Sequence, residues 1–359
     1  MKTSKRVRRR RFLTAAAAVS LPSPFLRVPG AMASGSSEPP RRRIAIGFLG
    51  ASHSHARGKL QVILNSPDYE LVGVCDESEA VRRECAKLRA EIVSRDDLLG
   101  RCEVIAVESA VRDHSSDGLW ALRAGKHVHL EKPPATSLGD VQEMVRLARE
   151  KKLVLQLGYM WRHHPGFQAI FEAARRGWLG SIFMVRGTMT NHLAPAQRQS
   201  WAGFKGGSLY ELGSHLVDAV VRLMGKPRAV TPFLRRHGDV KDDLKDNNLV
   251  VIEFERALAV IANTSLQPTE IPYRSFEVLG SKGSAVLRPL EPPALEMELL
   301  EDSGPYKKGI QTVKLPPYRR YEGDFVELAA AVRGDRSLSV SLEEEIVVQE
   351  TLLRASEML

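Results

Sequence analysis

The stretch Gly125-Lys126-His127-Val128-His129-Leu130-Glu131-Lys132-Pro133-Pro134 decides how the rest of the chain is read. An apolar run opened by Gly-Lys and closed by Glu-Lys-Pro-Pro predicts a short buried strand. Its carboxyl end delivers two charged side chains to the edge of a parallel sheet, where ligands of such sheets bind. A Glu-Lys pair alone would be ordinary solvated surface. The segments on either side of it give the pair a different meaning.

Upstream, Arg42-Arg43-Ile44-Ala45-Ile46-Gly47-Phe48-Leu49-Gly50-Ala51-Ser52-His53-Ser54-His55 reads as a strand turning into a helix that continues through Gln61-Val62-Ile63-Leu64. A helix amino end with free N–H groups and a favourable dipole suits a pyrophosphate, so Gly50, Ala51, Ser52 and His53 are the expected cofactor turn. The turn holds one glycine of Gly-x-Gly-x-x-Gly, because Ser52 and His55 stand in the other two slots. The next strand, Tyr69 to Asp76, ends in an acid 26 positions after Gly50. Such an acid accepts from ribose hydroxyls and repels a 2′-phosphate, which favours NAD over NADP, although Arg82 and Arg83 follow. Asp76 is equally suited to cap the helix that starts near Ser78. No metal is expected at His53 and His55: two histidines alternating across a turn diverge, no carboxylate lies beside them in sequence, and the pyrophosphate needs the same space.

The alternation then runs through helix 79–90, a short strand at 91–93, a helix from Arg95, strand 102–107, helix 115–124, strand 128–130, helix 138–151 and strand 153–157. This predicts a doubly wound, Rossmann-type parallel sheet. From Gly158 the pattern changes to a helix near Phe167 to Arg176 and strands near 181–189, 228–236, 249–254, 258–265, 274–279 and 284–288. Turns as short as Glu255-Arg256 and Gly280-Ser281-Lys282-Gly283 predict antiparallel pairing and an open α+β sheet. One more strand is expected among the loops of 304–321, and closing helices at 321–334 and 342–357.

Two further motifs complete the set: Gly158-Tyr159-Met160-Trp161-Arg162-His163-His164-Pro165 and Gly206-Gly207-Ser208-Leu209-Tyr210-Glu211-Leu212-Gly213-Ser214-His215. With Glu131-Lys132-Pro133 they make residues 42–356 resemble the glucose-fructose oxidoreductase, inositol dehydrogenase and rhizopine-catabolism (Gfo/Idh/MocA) family. The resemblance implies a nicotinamide-dependent oxidoreductase acting on a sugar, polyol or cyclitol hydroxyl. It implies Lys132 as the cation near the nicotinamide, His215 as acid/base and Glu211 as its orienter, since residues four apart share a helix face. Glu211 replaces the usual aspartate and adds a methylene. Glu131 is assigned to the nicotinamide ribose, and Ser109 and His114 to the cofactor side. Tyr159, Arg162 and His164 open the second domain beside the cleft, Arg162 toward the cofactor and Tyr159 and His164 toward substrate. Trp201 offers a face for a sugar, and Asp218 lies one turn beyond His215. The alternatives are a redox-neutral, NAD-dependent glycoside hydrolase and a non-catalytic sugar-binding protein.

The charge of +9 on 359 residues suggests nucleic acid until it is located. Residues 1–33 hold eight basic residues and no acid, which leaves 44 basic against 43 acidic residues in the remainder. No basic face for DNA or RNA is expected. Arg9-Arg10-Arg11-Phe12-Leu13, a weakly apolar stretch and Ala31-Met32-Ala33 resemble a twin-arginine export signal; the stretch is too short and interrupted to be a membrane anchor. The expected organisation is a signal at 1–33, a linker at 34–41, an NAD-binding domain at 42–157 and a substrate-binding domain at 158–359. Expected partners are a small carbohydrate or polyol, the twin-arginine export machinery, and a second copy of the chain through the C-terminal sheet. The expected location is periplasmic or secreted. Cys75, Cys85 and Cys102 are expected to be free.

Overall fold

The structure, a computed structural model, describes residues 41–269 and 271–359. The expected signal and nearly all of the expected linker lie outside these residues. The first half runs β1 Ile44–Leu49, α1 Ala56–Asn65, β2 Tyr69–Cys75, α2 Glu79–Leu88, α3 Arg95–Arg101, β3 Val104–Val107, α4 His114–Arg123, β4 His127–Leu130, α5 Leu138–Glu150 and β5 Leu155–Leu157. Its five strands form a parallel sheet in the order β2-β1-β3-β4-β5. The strand expected at 91–93 is reduced to one parallel bridge between Val74 and Ile92 on the outer side of β2. Counting that bridge as a strand, the order is the doubly wound 3-2-1-4-5-6 arrangement, with its switch point between β1 and β3. β3 is buried along its whole length and β4 nearly so, as a sheet covered on both faces requires.

The second half runs α6 Pro165–Arg175, β6 Ile182–Thr190, α7 Pro195–Ala202, α8 Ser214–Met224, β7 Ala229–Arg235, β8 Asn247–Glu253, β9 Leu258–Thr264, β10 Ser275–Gly280, β11 Gly283–Leu287, β12 Leu295–Leu299, β13 Gly309–Val313, α9 Glu322–Arg333 and α10 Leu342–Ala355. Its eight strands are ordered β13-β12-β11-β10-β6-β9-β8-β7. All neighbours are antiparallel except β6 and β9, which pair in parallel from Met184↔Leu258 to Thr190↔Thr264. Short turns made antiparallel pairing the expectation, and they deliver it at β8–β9 and β10–β11. β6 and β9, however, are joined by α7, α8, β7 and β8, a connection long enough for a parallel crossover. The sequence reading also omitted β12, whose alternation of buried Leu295, Met297 and Leu299 with exposed Glu296 and Glu298 is legible after the fact. All three cysteines are free.

The closing helices return to the parallel sheet. Tyr69 donates its hydroxyl to the Phe325 carbonyl of α9, and Tyr210 donates to the Ala135 carbonyl just beyond β4. α10 starts at a capping box formed by Ser341 and Glu344. It carries Glu345 to Arg162, whose guanidinium also pairs with Asp218 of α8 at 2.7 Å. All three side chains are buried, and the guanidinium lies over the Tyr159 ring. Arg162 and Asp218 are therefore a structural ion pair between helices, and neither lines the cleft; the cofactor contact expected of Arg162 does not occur. Removing one member of such a cluster leaves buried charge unpaired, at a cost of about 3–5 kcal/mol. Arg162→Ala is expected to lower unfolding free energy by that order in urea titrations while leaving NAD affinity of the folded fraction within a few-fold. Unchanged stability with weakened NAD binding would return Arg162 to the cofactor site.

Candidate active site

β3 and β4 lie side by side in register, Val107 opposite Leu130, so the next residue of each places Glu108 and Glu131 next to one another at the carboxyl edge. Both are fully buried. Two carboxylates there require a cation, and α1 supplies it. Ala56, Lys59, Leu60 and Ile63 form the buried stripe of that helix, which drives Lys59 into the sheet edge instead of solvent. Its ammonium donates to Glu108 Oε1 at 2.7 Å, to His129 Nε2 at 2.8 Å and to Glu131 Oε2. Burial opposes the charge on Lys59, but the two carboxylates outweigh it and raise its pKa. Burial likewise pushes Glu131 up, yet Lys59, His55 and His53 override it and hold Glu131 ionised, well below the usual carboxylate range. Glu108 goes the other way: burial and Glu131 push it up to about 8. One acid of the pair thus keeps its proton at neutral pH. Gly158 makes room for the cluster, since a Cβ there would lie 3.0 Å from Lys59 Nζ and 3.2 Å from Glu131 Oε2.

Glu131 Oε1 turns toward the turn after β1. It accepts from the Lys132 backbone N–H at 2.9 Å and faces His55 Nδ1 at 3.1 Å and His53 Nδ1 at 3.9 Å. The histidines expected to diverge instead converge on a carboxylate from another strand; no metal was expected here because that carboxylate is 76 residues away from His55. His53 Nε2 lies 3.2 Å from Glu211 Oε1, and Lys132 Nζ donates to the same oxygen at 2.7 Å and to the Glu211 backbone carbonyl at 3.0 Å. That carbonyl is reachable because Leu209–Gly213 forms a π-helical turn before α8, where the regular α-helical ladder is interrupted. The wide turn also changes the role of Glu211. Its carboxylate holds Lys132 and His53 and makes no hydrogen bond to His215, so the expected orienting pair is replaced by a Lys-Glu-His53 link. Lys132 and His53 hold Glu211 ionised although burial opposes it.

His215 is buried, its ring 4.9 Å from that of Trp161 and 6.1 Å from that of His55, and its Nδ1 has no hydrogen-bond partner. Burial and the charge of Lys132 hold its pKa well below the usual imidazole range. His215 lines a cleft of about 460 Å³ together with Ser54, His55, Lys132, Trp201 and Glu211. Two expected substrate residues are elsewhere. Tyr159 lies behind His215, ring to ring at 6.0 Å, and does not line the cleft. His164 is fully buried as the N-cap of α6, accepting from Gly166 and Phe167 N–H at Nδ1 while Nε2 meets the Leu290 carbonyl at 2.8 Å.

On the other side of the turn, Gly50, Ser52, Asp76, Arg82, Ser109 and Arg112 line a second cavity of about 650 Å³ at the β1/β3 switch point. Gly50 has φ +73°, and a Cβ there would sit 2.5 Å from Ser109 Cα, so the backbone is held open where a dinucleotide fold needs it. Asp76 accepts from Ala51 N–H and Ser78 N–H at 2.8 Å each, bracing the turn and starting α2 at once. Ser109 Oγ is buried without a partner beside this cavity. His114 is not in it: fully buried, with its ring between the carbonyls of Pro133 at 2.8 Å and Ser109 at 3.1 Å, it ties the loop after β3 to the loop after β4.

Residues 44–159 match the oxidoreductase family with NAD-binding Rossmann fold, and residues 167–286 match the GFO/IDH/MocA C-terminal domain. The chain belongs to the Gfo/Idh/MocA oxidoreductase family. It is an NAD(P)-dependent oxidoreductase. A dTDP-3,4-didehydro-2,6-dideoxy-alpha-D-glucose 3-reductase of Streptomyces violaceoruber is 28% identical over 299 residues, spanning 81% of this chain and 86% of the relative. An inositol 2-dehydrogenase of Salmonella typhimurium is 26% identical over 255 residues, spanning 68% and 72%. Among solved structures, UDP-N-acetylglucosamine 3-dehydrogenase GnnA of Acidithiobacillus ferrooxidans superposes with a TM-score of 0.75 at 19% identity, over 89% of this chain and 98% of that one. GenD2 from gentamicin A biosynthesis, in complex with NAD, gives 0.75 at 23% identity over 89% and 95%. These two likenesses establish the fold.

Sequence reasoning missed Lys59 and Glu108. A lysine on the apolar stripe of α1 and an acid directly after each of two adjacent buried strands were the available signals. Glu108 also generates a pH dependence. Folded, it keeps its proton up to about pH 8, while its ordinary value is 4.5. The folded state therefore binds more protons across that window, and stability declines as pH rises through it. Thermal melts from pH 5 to pH 8 are expected to show Glu108→Gln gaining on the wild-type chain as pH increases. A constant difference across the window would mean that Glu108 is not the group held protonated.

Proposed function

We propose that this oxidoreductase removes hydride from a secondary hydroxyl of a sugar, polyol or cyclitol, or returns it, with His215 moving the hydroxyl proton. The supporting observation is the pairing of a buried imidazole, its Nδ1 without a partner, with the Lys132 ammonium along one cleft. At neutral pH His215 is an unprotonated base, and Lys132 stabilises the alkoxide that forms as the proton leaves. Glu211 holds Lys132 in place. Trp201 lines the cleft with an aromatic face suited to the apolar side of a sugar ring. Relatives named for reduction at a sugar carbon and for inositol oxidation point to the same substrate class.

Gly50, Ser52, Asp76 and Ser109 would hold the adenosine end of the dinucleotide, and Lys132 would face its nicotinamide end. Bound NAD(P) supplies the hydride acceptor. Asp76 favours NAD by repelling a 2′-phosphate, against the pull of Arg82 at the same cavity. The Arg9-Arg10 leader supports export of the folded protein, and an exported chain has no dinucleotide pool to draw on. Retained cofactor and redox-neutral or ping-pong turnover follow from that.

Purified protein should generate reduced-nicotinamide absorbance with members of a sugar and cyclitol panel. His215→Ala should lower kcat by about 10²–10⁴-fold with NAD affinity changed only a few-fold, and the acidic limb of wild-type kcat/KM should lie below the usual histidine range. Equal losses of kcat and NAD binding would remove His215 from the proton-transfer role. Protein collected from outside the inner membrane and denatured should release near-stoichiometric dinucleotide. Cofactor-free exported protein that needs added NAD at each turnover would refute retention.

A further inference from the structure

The turn after β1 and the end of β4 bring together a donor set that hydride transfer to a nicotinamide does not by itself require. His53, His55 and Glu131 each present one ligand atom, and these atoms lie within 4.8 Å of one another. His55 Nδ1 is 3.1 Å and His53 Nδ1 is 3.9 Å from Glu131 Oε1. Around an ion with bonds of about 2.0–2.1 Å, tetrahedral ligand atoms stand roughly 3.3 Å apart, so the observed spacings bracket what a small ion needs.

The groups behind these donors are arranged as they are behind metal ligands. His53 Nε2 meets Glu211 Oε1 at 3.2 Å. A carboxylate acceptor there keeps the proton on Nε2, which leaves the Nδ1 lone pair on the Glu131 side, where the His55 backbone N–H lies 3.3 Å away. This is the carboxylate-histidine order that orients metal-binding imidazoles. Glu131 Oε2 is held by Lys59, which commits Oε1 to the histidine side. Independently, His215 lines the same cleft as His55, is buried, and has an Nδ1 without a hydrogen-bond partner.

We propose that His53, His55 and Glu131 form a binding site for one divalent transition-metal ion, open toward the substrate cleft. The chemistry selects the class of ion. Two imidazoles and one carboxylate oxygen suit zinc, iron or cobalt, whereas magnesium and calcium prefer several oxygen donors. Lys59 and Lys132 already compensate Glu131 and Glu211, which leaves little net negative charge to attract a hard cation. An ion here faces the cleft shared by Lys132, Trp201 and His215, so its open position is placed to take a substrate hydroxyl. This role rests on the reading of the cleft given above; the binding site itself does not.

The test reads binding directly. Full-length protein is stripped by chelator dialysis and titrated with Zn²⁺ and with Co²⁺, following metal content and the visible absorption of Co²⁺. Uptake of about one equivalent, with the spectrum of a low-coordinate nitrogen- and oxygen-ligated ion, is expected for the wild-type chain. His55→Gln, at the partly exposed member, should abolish stoichiometric uptake. Glu211→Gln, behind His53, should weaken it about 10–100-fold. Circular dichroism and NAD binding monitor folding of both variants. Wild-type protein that takes up no more metal than denatured chain, or a folded His55→Gln protein that binds as tightly as wild type, would overturn the site. Turnover that survives chelation in metal-free protein would also overturn it while leaving the oxidoreductase reading intact, whereas metal uptake without turnover on any sugar would count against that reading alone.

Discussion

The buried ammonium of Lys59 is the contact on which the rest of the catalytic edge depends. Parallel strands in register must put Glu108 and Glu131 side by side, and with both ionised the pair would repel in a low-dielectric interior. Lys59 resolves this by binding one oxygen of each and the Nε2 of His129. The contact ties α1 to the ends of β3 and β4, and so joins the cofactor turn to the Glu-Lys-Pro segment. His129 carries the connection on through Gln156, whose amide donates to the Asp324 carbonyl of α9. A long side chain reaching across the sheet edge thereby connects elements far apart in sequence.

Charge at the cleft is shared out by geometry instead of by residue type. Glu131 and Glu108 follow equivalent strands, yet one is ionised and the other holds its proton, because Lys59, His55 and His53 all bear on Glu131 while Glu108 has an oxygen without a partner. Lys132 meets Glu211 through both carboxylate and backbone, an arrangement that exists only because the chain widens into a π turn before α8. His215 begins that helix close to a fixed positive charge, which suppresses its protonation. Base, cation and cation-holder are thus set within a few ångströms of one another by two backbone features, the strand ends of the first sheet and the irregular turn of the second half.

Much of this was legible before the structure. The order of strands and helices in the parallel half, the carboxyl-end placement of Glu131 and Lys132, the cofactor turn at Gly50 and the cleft position of His215 all follow from period, punctuation and family resemblance. Local signals carry such information well, because buried strands and amphipathic helices must show their faces in sequence. The misreadings were pairings. Arg162 was given to the cofactor, His164 to substrate and Glu211 to His215. Each is a polar residue in a motif whose partner (Glu345, the Leu290 carbonyl, Lys132) lies 183, 126 and 79 positions away respectively.

Sequence by itself determined the two-part architecture, the family and the residues that reach the cleft, because those depend on hydrophobic periodicity and short motifs. Tertiary structure alone decided which charged group meets which. The parallel pairing of β6 with β9, the burial of Lys59 between two acids and the convergence of His53 and His55 on Glu131 are all set by strand register and by crossovers that no local window contains. Electrostatic energy depends on distances between side chains after folding, and those distances come from the packing of elements rather than from their order along the chain.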